Sequence, residues 1–202
     1  MKKFLCFSPR QGENSLTKQV YEAIDNTALR YGETRFPIIP VIAGYALPGE
    51  EIRVIAVTED YPNSIHNLSL LEDAVNEVIK EKALKCSGVE RISVAYDDSV
   101  TSQLDVFQKL IDVIEDDDEL YACITYGSKP SPLVELMALR YARVAKKNAI
   151  VRCVVYGQKN HITKEAKIYD VTALVQLDDI VRVLAQLGSK NIGEAIRNIL
   201  AL

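Results

Sequence analysis

Short apolar runs alternate with longer runs of helical period almost from end to end of the chain. Phe4 to Phe7 is uniformly apolar and bounded by Ser8-Pro9, which predicts a short buried strand. Leu16, Val20, Ile24 and Leu29 stand at near-helical spacing and predict a helix over 15–29. Ile38, Val41, Ile42 and Tyr45 fit i, i+3, i+4, i+7, so a second helix is expected there with Pro37 in its first turn. A strand is the alternative for that segment. Pro48-Gly49 then breaks the chain before a strand from Ile52 to Val57.

The second half repeats the alternation. Leu71, Val75, Val78, Ile79 and Ala83 mark a helix, Ile92 to Tyr96 a strand, and Leu104, Phe107, Ile111 and Ile114 another helix. Asp116 to Glu119 reads as a solvated loop in preference to a metal cluster. Leu120 to Thr125 is a strand, Ser131 to Lys146 a helix and Ile150 to Tyr156 a strand. Lys167 to Tyr169 and Ala173 to Val175 are weaker apolar runs, Asp178 to Leu187 is a helix, and 191–202 forms a helical amphipath. Strands alternating with helices of ten or more residues imply βαβ units: an α/β, Rossmann-like fold with a mostly parallel sheet and helices on both faces. The expected division is one domain over 1–187 and a C-terminal helix over 188–202. The apolar tail suggests a linker to an effector, with ordinary packing onto its own core as the alternative.

Composition narrows the function. The 202 residues are 48% hydrophobic and 26% charged, which excludes a disordered chain. The net charge of −4 argues against duplex DNA as a partner but leaves room for a small anion in one local pocket. Cys6, Cys86, Cys123 and Cys153 show no CxxC spacing and are expected as free thiols. Neither a signal peptide nor an 18-residue apolar run is visible, so a cytoplasmic protein without a membrane span is expected.

In open α/β sheets ligands bind beyond the carboxyl ends of the strands. Five loops qualify: 8–14, 58–61, 97–101, 126–131 and 157–160. The most informative is Thr125-Tyr126-Gly127-Ser128-Lys129-Pro130-Ser131-Pro132. A hydroxyl ends the strand and Gly127 permits a tight turn and close approach of backbone. Lys129 is a point charge suited to phosphate, and Ser131 is placed to cap the following helix. Together they make an anion site, a plain turn with a solvated lysine being the alternative. Ser8-Pro9-Arg10-Gln11-Gly12 is a second polar, cation-bearing loop at the same sheet edge, though neither a Walker A loop nor GxGxxG. The two loops together would grip one polyanion from opposite sides.

Other chemistries lack support. His66 and His161 have no metal-ligand partner at useful spacing, and no GxSxG elbow accompanies them, so surface histidines are expected. Asp97-Asp98 at a strand end could take Mg²⁺ but reads better as a loop pair. Tyr126 and Tyr156 fall at strand ends, where a ring could stack on a base or simply pack. No metal and no cofactor is called for.

The segment Ile124 to Pro130 followed by a long apolar helix resembles the signature of CARF domains, the Rossmann-like sensors of type III CRISPR systems. The strand ending in Ser8, the run Phe36-Pro37-Ile38-Ile39-Pro40 and the late Tyr169-Asp170-Val171-Thr172 also fit that family. The resemblance covers about residues 1–187. It implies a homodimer that binds a cyclic oligoadenylate across its two-fold axis, tetra-adenylate favoured over hexa-adenylate, and that controls a fused or associated effector. Carried over by position, the ligand-binding residues are Ser8, Pro9, Arg10 and Gln11 with Thr125, Tyr126, Gly127, Ser128, Lys129 and Pro130. Cys123 departs from the family, where an acidic residue is frequent. An enzyme of the same family, a metal-independent ring nuclease using the ligand's own 2′-hydroxyl, is the alternative, with Ser8 and Lys129 as its working residues. A flavodoxin-like nucleotide enzyme and a ligand-free dimerisation domain are further alternatives. Residues 30–48 or the loop at 157–163 are expected to help cover the ligand.

Overall fold

The computed structural model describes residues 1–160, 162–163 and 165–200. Its sheet has eight strands: β1 Lys2–Phe7, β2 Gln19–Ala23, β3 Glu33–Thr34, β4 Ile52–Glu59, β5 Val89–Val94, β6 Glu119–Cys123, β7 Ile150–Lys159 and β8 Ala166–Asp170. They lie in the order β3-β2-β8-β7-β6-β1-β4-β5. The central five, β5-β4-β1-β6-β7, are all parallel; β8 runs antiparallel to β7, and β3 antiparallel to β2. The α/β, Rossmann-like expectation holds.

Alternation of side chains along the strands builds two cores. Phe4 and Cys6 of β1, with Val54, Ala56, Tyr121 and Cys123 beside them, meet α1 (Ile38–Tyr45) and α2 (Pro62–Lys82). Leu5 and Phe7 point the other way, with Ile55, Val57, Leu120 and Ala122, against α3 (Val100–Asp112) and α4 (Ser131–Ala145). Each fully buried aliphatic or phenyl side chain is worth about 1.5–3 kcal/mol, so both faces of β1 hold the fold. The outer helices α5 (Thr172–Gln186) and α6 (Ile192–Leu200) are less embedded; Thr172 is the buried residue of α5.

Four expectations need correction. The segment 15–29 is not a helix: β2 lies between 3-10 turns at Glu13–Ser15 and Thr27–Leu29. Leu16 and Leu29 are buried while Val20 is 59% and Ile24 40% exposed, so the four do not share one face. Tyr21 points inward instead, and β2 joins β8 through Tyr21↔Ala166. Ala173 to Val175 is the first turn of α5, not a separate apolar run with strand character. The loop expected at 157–160 is mostly strand, because β7 continues to Lys159 and pairs with β8. Finally, 116–119 is not simply solvated: Asp118 is 2% exposed and its carboxylate stands 2.7 Å from the ammonium of fully buried Lys3.

Helix α1 forms over the expected segment, but Pro37 is its N-cap and not a residue of its first turn. Helix α2 begins well before Leu71 because its first turns carry the polar Asn63, Ser64 and Asn67, which apolar periodicity does not register. No helix of the described residues is long and apolar enough to cross a membrane.

Candidate functional site

Strand β1 pairs with β4 on one side and β6 on the other, and the chain order reverses there. The carboxyl ends of β1 and β6 therefore open the crevice in which such sheets hold ligands. Register places Cys6 opposite Cys123, so the loops that begin at Ser8 and Thr125 leave the sheet side by side.

The first loop is pinned from α2. The Asn67 side-chain amide, 1% exposed, donates to the carbonyls of Pro9 and Gln11 at 2.8 Å each, and Asn63 donates to the Arg10 carbonyl at 3.1 Å. Ser8 is buried; its amide donates to the Val57 carbonyl at 2.9 Å and its hydroxyl to the Ser64 carbonyl at 2.6 Å. The hydroxyl is thus committed inward. Gln11 is exposed and borders a cleft of about 330 Å³ that also touches Tyr21, Thr125, Tyr126, Tyr156 and Lys159.

Arg10 is the best-held side chain of the group. Its Nε and Nη2 both donate to Glu59, the latter at 2.5 Å, and Nη2 also donates to Asp98 at 3.0 Å. Its guanidinium lies 4.7 Å from the centre of the Tyr96 ring, which stacks on Tyr61 at 4.5 Å. The bonds to Glu59 push the Arg10 pKa up. The Arg10 hydrogen bond holds the Asp98 carboxyl below its usual range, with a smaller pull from the Ser128 hydroxyl against some desolvation.

The second loop is a tight turn with a φ of +103° at Gly127. A Cβ there would stand 2.7 Å from the Ser131 Cβ and 3.1 Å from the Phe7 ring, so glycine is required twice over. Ser131 is not the cap of α4 but its first residue, Pro130 being the N-cap. Its hydroxyl reaches back instead, accepting from the Ser128 amide at 2.9 Å and meeting the Ser128 hydroxyl at 2.9 Å. The start of α4 has no side-chain cap and no acid in its first turn, but the Ser131 and Val134 amides donate to the carbonyls of Ser128 and Pro130 and Pro132 has no N–H, so the helix offers an anion its dipole more than free donors. The Thr125 hydroxyl accepts from the Gly157 amide at 2.8 Å, and a Cβ on Gly157 would run into the Pro37 ring. Tyr126 turns inward, donating to the Arg35 carbonyl at 2.7 Å and meeting Phe36 edge-on. Lys129 is exposed and makes no ion pair among the described residues.

The structure thus brings both predicted loops together but divides their roles. Lys129 and Gln11 are exposed and available to a ligand. Ser8, Thr125, Tyr126 and Ser128 shape the turn from within, and Arg10 is engaged by carboxylates. Sequence reasoning missed Glu59 and Asn67, and it read Asp98 as a loop acid, not as Arg10's partner. Glu59 is the last residue of β4, inside a loop window already singled out, so its position was the available signal.

One further acid escaped notice. Glu135 of α4 is 1% exposed, and neither carboxylate oxygen has a hydrogen-bond partner. Burial pushes its carboxyl well above the glutamate range, which favours the neutral form. Cys6, Cys123 and Cys153 are buried free thiols, and burial first of all raises Cys123 to about 12 and Cys153 to about 12. They are inert packing groups. His66 is exposed, and His161 lies outside the described residues. No group of three or more His, Cys, Asp or Glu among the described residues could hold a metal ion, and Asp97 is engaged with Ser99 and Ser102.

No family model matches the chain. It is similar to the CRISPR-associated protein MJ1674 of Methanocaldococcus jannaschii, being 25% identical over 130 residues. The match covers 61% of this chain and 20% of that protein, so the chain spans about a fifth of the length of the relative it matches.

Proposed function

We propose that the chain is a CARF-type sensor of a type III CRISPR system that binds a cyclic oligoadenylate and controls an effector. The observation that carries this reading is that two polar, cation-bearing loops leave the sheet side by side at the switch point, and Arg10 of the first already holds an anion, the Asp98 carboxylate, at 3.0 Å. The dipole of α4 and Lys129, which makes no ion pair among the described residues, add positive potential at the same edge. The similarity to a CRISPR-associated protein supports the biological setting.

The chain's negative charge makes long-range steering of a polyanion unfavourable, and a dimer doubles that charge. Affinity has to come from short-range, desolvated contacts duplicated by two-fold symmetry. A second copy of this chain has a surface to meet: Leu133, Met137 and Leu174 are 62%, 48% and 68% exposed around an apolar cleft of about 390 Å³ between α4 and α5. Tyr156 borders both this cleft and the polar one beside Thr125, so the dimer face would be continuous with the ligand site.

The test is a thermal melt with cyclic tri-, tetra- and hexa-adenylate, sampled for linear products. At a ligand concentration about 100 times the dissociation constant, mass action stabilises the folded state by about 2.7 kcal/mol. Stabilisation by the tetra-adenylate ring, abolished by Lys129→Ala and unaccompanied by cleavage, is the expected result. Stabilisation that decays as linear product accumulates would make the chain a ring nuclease. No stabilisation by any ring would sink the reading.

A further inference from the structure

We propose that Asp98 is a built-in competitor for the anion site, a carboxylate that a phosphate must eject from Arg10 before it can bind, while Glu59 stays in place to aim the guanidinium. This rests on the reading of the two loops as a polyanion site and adds a gate to it.

The two carboxylates on Arg10 are unlike in the ways that decide which one leaves. Glu59 ends a central strand, its side chain is 6% exposed, and it takes both Nε and Nη2 of the guanidinium. Moving it would disturb the β4 pairing and strand a buried charge. Asp98 stands on the loop between β5 and α3, its side chain is 51% exposed, and it takes one bond of 3.0 Å. Water can receive it.

Its departure also leaves the loop intact. Asp97, not Asp98, sets the shape of that turn, accepting from the Ser99 amide at 3.0 Å, the Ser99 hydroxyl at 2.5 Å and the Ser102 hydroxyl at 2.6 Å. The N-cap of α3 is Ser99, whose hydroxyl accepts from the Ser102 amide. Asp98 can therefore swing without unwinding α3. Tyr96, stacked on Tyr61 beneath the guanidinium, holds the Arg10 plane whichever anion occupies its outer edge.

Charge gives the gate its sign. Arg10 with Glu59 and Asp98 carries a net single negative charge, which opposes an incoming phosphate; with Asp98 displaced, the remaining pair is neutral. Asp98 therefore lowers affinity for every phosphate-bearing ligand. It discriminates in favour of one that offers several phosphates at once and can also engage Lys129 and the start of α4.

Calorimetric titration tests this with two probes, inorganic tripolyphosphate and cyclic tetra-adenylate, on the wild type, Asp98→Asn, Asp98→Ser and Glu59→Gln. Removing the competitor is expected to tighten tripolyphosphate binding about tenfold in both Asp98 variants, a change of about 1.4 kcal/mol. Glu59→Gln removes the same charge but loosens the buried carboxylate that aims the guanidinium, so it is expected to gain less than either Asp98 variant. The Arg10 Nε–H resonance, followed by NMR, is expected to move on ligand addition in the wild type while keeping a signature of its Glu59 bond. If neither Asp98 variant binds tripolyphosphate more tightly than the wild type, the gate is overturned. Tighter tripolyphosphate binding with no ring bound by any variant would keep the gate and discard the cyclic-oligoadenylate reading. A ring bound equally by the wild type and both Asp98 variants would do the reverse. Failure of every variant to bind either polyanion would discard both.

Discussion

Replacing Glu135 by glutamine should change how stability depends on pH more than it changes stability itself. The carboxyl is 1% exposed with both oxygens unpartnered, and burial raises its pKa well above the glutamate range. In the unfolded chain it titrates near the ordinary value of about 4.3. A group whose folded pKa lies above its unfolded one contributes stability that is fully present below the unfolded value. That contribution is lost as pH rises through the folded pKa. Within that window the unfolded state releases a proton that the folded state keeps, so the wild type loses about 1.4 kcal/mol per pH unit from this group. Glutamine has no proton to release, and the chain's other groups cancel in the comparison. Urea unfolding of both proteins from pH 5 to 6 at constant ionic strength gives the two free energies by linear extrapolation. Their difference should tilt by about 1.4 kcal/mol in favour of Glu135→Gln over that unit. Parallel curves would refute the argument, because they would mean that the buried carboxyl ionises normally and has found a partner.

Three further substitutions test particular contacts. Gly127→Ala adds a Cβ at 2.7 Å from that of Ser131 on a backbone with φ of +103°, so a loss of about 1–3 kcal/mol from strain alone is expected in a urea melt, with loss of ring binding. Lys3→Met takes the nearer of two ammonium groups from buried Asp118, leaving it the N-terminal ammonium of Met1 at 3.4 Å and the Glu115 amide at 2.7 Å, so the loss should fall below the about 3–5 kcal/mol of a fully stranded buried charge, and Lys3→Met combined with Asp118→Leu should recover part of it; an equal loss in both would show that the pair matters for packing alone. Gly157→Ala should lower the melting temperature and disturb Thr125, because the added methyl meets the Pro37 ring and pushes on the strand whose amide the Thr125 hydroxyl accepts; an unchanged melt would place that contact in a more forgiving part of the fold.

The parallel core of the sheet was legible because its strands obey a simple rule. Strands buried on both faces are continuous apolar runs, and Phe4 to Phe7, Val54 to Val57 and Leu120 to Cys123 announce themselves that way. The excursion from Leu16 to Leu29 did not, since its apolar residues divide between core and solvent and mimic a helical period by coincidence. The long first half of α2 was missed for the opposite reason. Asn63 and Asn67 are polar residues that face inward to hold the backbone of the first loop, and a rule that equates inward with apolar passes over them.

The site shows the same division between what composition reveals and what only geometry does. Hydroxyls, a glycine and a cation at two neighbouring strand ends were enough to find the two loops, because strand order and loop position follow from the alternation of elements. The state of each cation was not readable. Arg10 and Lys129 look equivalent in the sequence, yet one is bound by Glu59 and Asp98 from 49 and 88 residues away and the other makes no ion pair among the described residues. An arginine clamped by two carboxylates contributes far less positive potential than its formal charge, so the local field at the crevice rests on Lys129, on Lys159 beside the cleft and on the dipole of α4. It follows that Lys129→Ala should remove most of the affinity for a phosphate ligand in the wild type but a smaller share in Asp98→Asn, where Arg10 is freed to compensate. Competitive titration of the two single variants and the double variant measures that coupling. Additive losses would mean that Arg10 and Lys129 never serve the same anion.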